Sequence, residues 1–293
     1  MPGTFGASNF AHSLIMIKIA IAGTSGLSQY ISTQTCHQFI FFSRNDNPGL
    51  TAKGWQVIKV DYGDENDLQY ALTGIDTVIS TISGQPEIAL IDAAAQLHET
   101  GVVLPACKGM QSTAWSMPFF ACGIFYERFA PGGMASFQIG KSTRIDAEGD
   151  YLMNIRAMTT EIPYFIVMGD PVCVCMTSAQ DLVRYIVAAL DLPQWPTEFR
   201  VYGERMTLSD VVNVVENVRG VHFEKTLLTD KSLETFLAHA KASSTILEQW
   251  SLHHLLATTA GCYDFGPPNL HSLVNVNPQK FCDWLHAAWS LAS

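Results

Sequence analysis

The sequence is poor in positive charge. It has 17 Lys and Arg against 27 Asp and Glu, for a formal net charge of −10, and the basic residues are scattered. Nucleic-acid binding depends on clustered cations that neutralise phosphates, so DNA and RNA are not expected partners. A small anionic ligand remains compatible with this charge if backbone N–H groups and a few well-placed cations hold it.

Long apolar runs and paired cysteine motifs are also missing. No apolar stretch is long enough to span a bilayer, so we expect no membrane partner. The 7 cysteines are odd in number and include no Cys-x-x-Cys, which argues against a disulfide framework or a zinc site and favours the cytoplasm. We therefore expect no bound metal. Residues 1–16 lack Lys and Arg, unlike a targeting signal, and we expect a poorly ordered extension there.

Short apolar runs alternate with helical patterns in the first third of the chain. The runs predict strands at 17–23, 38–44, 56–62, 76–82 and 102–105, with helices in "DENDLQYALTG" and "EIALIDAAAQLHETG". This order is typical of an α/β fold with a Rossmann-type parallel sheet and helices on both faces. We place this domain at 17–130. The remainder, 131–293, predicts a smaller mixed, mainly helical substrate lobe that is interleaved with the first domain.

The turn after the first predicted strand lacks one glycine of a dinucleotide-binding motif. In "AGTSGLS", Gly23 suits the tight turn and Gly26 suits a close approach of pyrophosphate, while Ser28 stands where a third glycine packs helix against strand. A small side chain can fit that third position. We predict a cofactor site that includes Gly23, Thr24, Ser25, Gly26 and Leu27; the alternative is a glycine turn that serves only the fold.

The ends of the next strands predict which dinucleotide binds. Ser43 and Arg44 end the second strand, and a guanidinium there suits the 2′-phosphate of NADP(H) better than the free ribose of NAD(H). The alternative for Arg44 is an exposed ion pair with Asp46. The predicted site is completed, at the adenine edge and after the fourth strand, by Asp61, Tyr62, Thr81, Ile82 and Ser83.

Several blocks of the sequence resemble a known family. "IAIAG", "FSRNDNPGL", "GIDTVISTISG" and "VMGDPVCVCMTSAQDLVRYIVAALDLPQWP" are similar to the fungal branch of the NmrA-like, isoflavone-reductase-like atypical short-chain dehydrogenases. The resemblance covers nearly the whole chain from Ile17. It implies an NADP-binding domain, a small substrate lobe and reduction of small, often aromatic metabolites. The first crossover helix and the segment after the fifth strand are shorter here than in the family.

The chemistry of a reductase requires a proton donor. The Tyr-x-x-x-Lys dyad of ordinary short-chain dehydrogenases is absent from all 9 tyrosines. Lys108 follows the fifth predicted strand, at the edge of the sheet where ligands bind, and the resemblance implies that it matches the family's lysine as general acid or orienting donor. The alternative for Lys108 is a solvated loop lysine. His253 and His254 lie on a predicted helix and could also reach a pocket, although histidines in helices more often pack or face solvent.

Two functions are compatible with these features. The first is an NADPH-dependent oxidoreductase of secondary metabolism that reduces an aromatic or polyketide-like molecule. The second is a non-catalytic, NADP-sensing regulator of the NmrA type that binds a protein, or a redox-inactive member of the fold. We expect a cytoplasmic monomer or homodimer. For the first function, the predicted walls of the substrate pocket are Trp115, Phe120, Phe125, Tyr126 and Met134.

Overall fold

The computed structural model describes residues 17–96, 103–105, 118–163, 170–243 and 245–290. The predicted extension at 1–16, the predicted general acid Lys108 and the predicted pocket residue Trp115 lie outside the described residues.

A parallel sheet of five strands forms the first part of the fold, as the sequence predicts. Its order is β3-β2-β1-β4-β5, and all its pairings are parallel. The strands are slightly shorter than the predicted ranges: β1 (Lys18–Ala22), β2 (Gln38–Ser43), β3 (Val57–Lys59), β4 (Thr77–Ser80) and β5 (Val103–Pro105). The strand order reverses between β1 and β4. In an open parallel sheet, a ligand crevice forms at the carboxyl edge of such a switch point.

Helices cover both faces of this sheet. They are α1 (Gly26–Gln34), α2 (Pro48–Ala52), α3 (Glu65–Leu72) and α4 (Gln85–Gln96). Because side chains alternate along a strand, Ile19 and Ile21 of β1 pack in one core with Ile31 of α1. Ala20 and Ala22 pack in the other core with the leucines of α3 and α4. The first crossover helix has 9 residues, which suffices to return the chain to β2.

The rest of the chain forms short strands and longer helices. Three small sheets have the orders β12-β10-β7, β11-β6 and β13-β9-β8. Their strands are β6 (Phe119–Ala121), β7 (Ile124–Phe125), β8 (Met153–Asn154), β9 (Thr159–Ile162), β10 (Cys173–Thr177), β11 (Glu198–Arg200), β12 (Glu204–Thr207) and β13 (Glu224–Leu227). β6 and β7 precede residue 130 and pair with strands that follow it, so the chain crosses between the two predicted parts there.

Side chains cap the first turns of helices in the second part. Ser178 accepts a hydrogen bond from the N–H of Asp181, and Thr207 forms a reciprocal capping box with Asp210. Gly220 ends the second helix with φ +66°. The helices are α5 (Ala179–Leu190), α6 (Leu208–Arg219), α7 (Asp230–Ala242), α8 (Ile246–Thr259) and α9 (Phe281–Ser290). None of the described helices combines the length and apolar character that crossing a membrane requires.

A buried acid joins the two parts at the start of α5. Both carboxylate oxygens of Glu127 accept the N–H of Ala179, at 2.9 and 3.1 Å. The side chain is 1% exposed, and burial raises the pKa of Glu127 to about 7. Glu127 therefore carries a mixture of protonated and ionised forms near neutral pH.

Candidate functional site

A cavity of about 770 Å³ lies at the carboxyl edges of β1, β2 and β4. Two predicted pocket residues, Phe125 and Met134, line it. It also brings together ten of the twelve predicted cofactor-binding residues, which are Gly23, Thr24, Ser25, Leu27, Ser43, Arg44, Tyr62, Thr81, Ile82 and Ser83. The site residues that follow four separate strands in the sequence thus meet around one space.

The turn after β1 requires glycine at its first position. Gly23 has φ +109°, and a Cβ there would lie 2.5 Å from the Thr81 hydroxyl oxygen. Its N–H donates to the carbonyl of Phe42 at 3.0 Å. The residue therefore keeps the turn close to both neighbouring strands, in a conformation that side chains disfavour.

Ser28 occupies the position of the missing glycine and forms a hydrogen-bonded link. Its side chain is fully buried, and its hydroxyl lies 2.7 Å from that of Thr81 and 3.3 Å from that of Ser25. Thr81 in turn donates to the carbonyl of Ala22 at 2.8 Å. Since that bond uses the Thr81 proton, Ser28 donates to Thr81. The serine thus fits the tight helix–strand contact and joins α1 to β4.

Gly26 approaches protein backbone closely, a role that the sequence does not reveal. Its N–H donates to the carbonyl of Gln138 at 3.1 Å, and a Cβ on Gly26 would overlap with the carbonyl oxygen of Phe137. Gly26 does not line the cavity. The segment around residues 134–140 is thereby held against the start of α1.

Free backbone donors remain at this helix start. Within the described part of the chain, the N–H groups of Thr24, Ser25 and Leu27 donate to no protein acceptor, and all three residues line the cavity. The N-terminus of α1 carries the positive end of the helix dipole. These donors suit an anionic group such as phosphate.

Two cations lie at the ends of β2 and β3. Arg44 and Lys59 line a smaller pocket of about 500 Å³ together with Asp61 and Tyr62. Among the described residues, neither cation forms an ion pair, so the alternative Arg44–Asp46 pair does not form. The sequence did not indicate Lys59, because the predicted strand at 56–62 places it in mid-strand, whereas the observed β3 ends at Lys59.

Asp61 and Tyr62 differ in how they present their polar groups. The Asp61 carboxylate accepts the N–H of Gly63 at 2.9 Å, so this side chain is held in a local turn of the smaller pocket. The Tyr62 hydroxyl is buried without a hydrogen-bond partner in the described protein. Burial raises the pKa of Tyr62 to about 12, although the charge of Arg44 acts in the opposite direction. Tyr62 is thus a neutral donor beside a cation.

The opposite end of the cavity carries polar residues that the sequence did not indicate as a group. Arg128, Tyr151, His254 and Tyr263 all line it. The Arg128 guanidinium lies 5.1 Å from the centre of the Tyr151 ring and donates to the carbonyl of Ile145 at 2.8 Å. The Tyr151 hydroxyl contacts Thr258 at 2.5 Å, which fixes the ring.

His254 and Tyr263 form a neutral pair beside this guanidinium. The Nδ1 atom of His254 lies 2.7 Å from the Tyr263 hydroxyl. Burial lowers the pKa of His254 to about 4, with further lowering by the charge of Arg128 and by His253. Burial also raises the pKa of Tyr263. Both side chains are therefore uncharged at neutral pH, and each can donate or accept a hydrogen bond.

Two predicted pocket residues lie in the core instead. Tyr126 is fully buried and packs 5.1 Å from the ring of Phe281, with its hydroxyl donating to the carbonyl of Gln279. Phe120 is 3% exposed and stacks on Phe199 at 4.8 Å. Neither lines the cavity. Both side chains belong to hydrophobic core clusters, so neither presents a face to the cavity.

The chain is similar to a curated protein and to several solved structures. No family model matches it. A curated protein of similar sequence is oxidoreductase BOA1 of Botryotinia fuckeliana (strain B05.10), which is 24% identical over 271 residues and covers 80% of this chain and 86% of its own length.

Solved structures share the fold across nearly the whole chain. A nucleoside-diphosphate-sugar epimerase from Staphylococcus aureus has a TM-score of 0.67 at 16% identity, covering 92% of this chain and 100% of its own. AtPrR2 with NADP+ and (+)pinoresinol has a TM-score of 0.67 at 14% identity, covering 93% of this chain and 99% of its own. The Citrobacter sp. triphenylmethane reductase complexed with NADP(H) has a TM-score of 0.66 at 13% identity, covering 92% of this chain and 99% of its own. At these identities the likeness establishes a common Rossmann-type fold.

Proposed function

We propose that this chain is an NADPH-dependent reductase of a small aromatic metabolite, within the fungal branch of the NmrA-like, isoflavone-reductase-like proteins. The observation that carries the proposal is the single cavity that joins free N–H donors, a cation and an apolar wall. A polar strip for an extended anionic cofactor and a wall for a flat ring are the two requirements of such an enzyme.

The residues present fit NADP(H). The N–H groups of Thr24, Ser25 and Leu27 would hold the pyrophosphate, because they are donors without a protein acceptor in the described chain. Arg44 and Lys59 would hold the 2′-phosphate, since they share a pocket and neither has an ion-pair partner among the described residues. The buried Tyr62 hydroxyl would then gain a partner. A buried hydroxyl without a partner, such as that of Tyr62, is rare in proteins.

The protein's own residues would position the substrate and supply a proton. Bound NADPH supplies the hydride. Phe125 and Met134 would contact the substrate ring, because they form the apolar wall of the cavity. Lys108 is proposed as the general acid on the basis of the resemblance and of its place after β5. An ammonium can protonate a developing alkoxide if burial lowers its pKa.

The similar proteins support this proposal in several respects. BOA1 is named an oxidoreductase and comes from a fungus. AtPrR2 and the triphenylmethane reductase were determined with NADP+ or NADP(H), and the NADPH-dependent quinone oxidoreductase QOR2 of Escherichia coli, also similar, was determined with NADPH. We extend the proposal to a role in secondary metabolism, a cytoplasmic location and a monomeric or homodimeric state.

Cofactor binding and turnover test the proposal separately. Calorimetry should detect NADPH binding that is tighter than NADH binding. Arg44→Ala should weaken NADPH by about ten- to a hundred-fold, the usual cost of a charge-assisted contact, and leave NADH nearly unchanged. Lys241→Ala, a loss of an exposed cation on α7, serves as the control. Absence of NADPH binding at millimolar concentration would refute the proposal.

Turnover distinguishes the reductase from the regulator. NADPH oxidation should be measured with a panel of aromatic aldehydes, ketones and quinones. Consumption that requires one class of acceptor supports the reductase. Binding of NADPH without reduction of any acceptor would instead favour the NADP-sensing regulator.

A further inference from the structure

The described walls of the large cavity carry positive charge and no negative charge. Among the described residues that line it, Arg44, Arg128 and Lys141 are cationic and none is Asp or Glu. The chain as a whole has 27 acidic against 17 basic residues, so a random sample of its surface would include carboxylates. The cavity is therefore an electropositive space in an acidic protein.

Arg44 and Arg128 lie at different ends of the large cavity. Arg44 lies beside Tyr62 at the end of β2, where the proposed 2′-phosphate binds. Arg128 lies among Tyr151, His254 and Tyr263, on the side formed by the second part of the chain. The phosphates of the cofactor thus explain the first cation, and the second needs its own anion.

None of the described residues forms an ion pair with Arg128. Asp146 and Asp150 act on it only through the longer-range field. One hydrogen bond, to the carbonyl of Ile145, accounts for one of its five N–H groups. A partly buried cation without a counter-ion is costly, and it is retained where a ligand supplies the charge.

The neighbours of Arg128 are arranged around it without competing for the anion. The Tyr151 ring stacks beneath the guanidinium, and its hydroxyl is engaged with Thr258. His254 and Tyr263 bind each other at 2.7 Å and stay neutral. They add uncharged hydrogen-bonding groups beside the cation, while Phe125 and Met134 form an apolar wall of the same cavity.

From this geometry we infer that the substrate is an aromatic or other apolar molecule that bears an anionic group, such as a carboxylate or an acidic phenol or enol, and that Arg128 binds that group. The inference rests on the proposed function, because it names the substrate class for the same cavity. It makes Arg128 a specificity-determining residue: neutral analogues of the same shape leave the guanidinium without its partner.

Matched acids and amides test this inference by binding alone. Calorimetry would use benzoate, 2-naphthoate and biphenyl-4-carboxylate against their neutral amides, with and without saturating NADP+. At least one carboxylate should bind the wild type about ten- to a hundred-fold more tightly than its amide, as expected for a charge-assisted contact. Equal binding within every pair, or no carboxylate binding at millimolar concentration, would overturn the inference.

Two variants and a control assign the effect to Arg128. Arg128→Met should abolish the preference for acid over amide, and Arg128→Lys, which keeps the charge without the planar fork, should retain part of it. Arg156→Met removes an exposed guanidinium outside the cavity and should leave the preference unchanged. A folded Arg128→Met protein that still prefers acids would overturn the inference, and so would equal losses in the Arg156→Met protein.

Cofactor titrations keep this test separate from that of the proposed function. NADPH affinity should be nearly the same in the wild type and in Arg128→Lys. A wild type that binds the acids through Arg128 but does not bind NADPH would refute the reductase and leave the anion site standing. A protein that binds NADPH and shows no preference for acids would refute the anion site and leave the proposed reductase standing.

Discussion

Replacement of Gly26 by alanine tests whether this glycine holds two parts of the chain together. The added Cβ would overlap with the carbonyl oxygen of Phe137, and the N–H of Gly26 donates to Gln138. Overpacking costs about 1–3 kcal/mol, and a weakened hydrogen bond adds about 1 kcal/mol. We therefore expect a loss of about 2–4 kcal/mol in the free energy of unfolding.

Thermal unfolding followed by circular dichroism measures this loss. For a chain of this size it corresponds to a decrease in Tm of about 3–7 °C. Gly49→Ala is the matched control, because Gly49 lies in α2 and a Cβ there meets an Asn47 oxygen at an ordinary 3.6 Å; it should be neutral or stabilise by up to about 1 kcal/mol. A Gly26→Ala protein that unfolds within 2 °C of the wild type would refute the contact.

Three further perturbations have defined outcomes. Ser28→Ala removes the donor to Thr81 and should cost about 1 kcal/mol of unfolding free energy in urea titrations, without a change in NADPH affinity; a neutral effect would mean that the link does not stabilise. Glu127→Gln removes a carboxyl whose pKa rises from 4.5 to about 7 on folding. The folded wild type binds the extra proton between those values, so its stability should fall by up to about 3 kcal/mol as pH rises from 4.5 to 7. The Gln variant should lack this slope, and parallel pH profiles would contradict the assignment. Lys108→Ala should lower kcat by about a hundred-fold or more in an NADPH oxidation assay, with little change in NADPH affinity, and Lys108→Arg should not rescue it because a guanidinium releases no proton near neutral pH; a fully active Lys108→Ala enzyme would exclude the role.

The fold and the half of the cavity at the edge of the parallel sheet followed from local sequence patterns. Apolar runs of four to seven residues separated by capped helices predict a parallel sheet, and the structure confirms the five strands. Residues that follow parallel strands must meet at one edge of the sheet. For that reason Gly23, Arg44 and Thr81, which are far apart in sequence, lie around one cavity.

Contacts between distant, irregular segments could not be predicted in this way. The partner of Gly26 lies more than a hundred residues away, in a stretch of short 3-10 turns that has no periodic pattern. The aromatic run before residue 130 shows the same difficulty at short range. Phe125 and Tyr126 are adjacent, but Phe125 lines the cavity and Tyr126 packs in the core. Composition alone does not distinguish these two orientations.

Net charge and local charge give different information about partners. A charge of −10 repels a polyanion as it approaches the surface, over distances of about a Debye length or more. A small anion inside the cavity is governed instead by the groups that line it, and the described ones include three cations and no carboxylate. Low-dielectric walls strengthen that local field. The net charge of this chain therefore disfavours nucleic acids, and the three cations that line the described part of its cavity favour small anions.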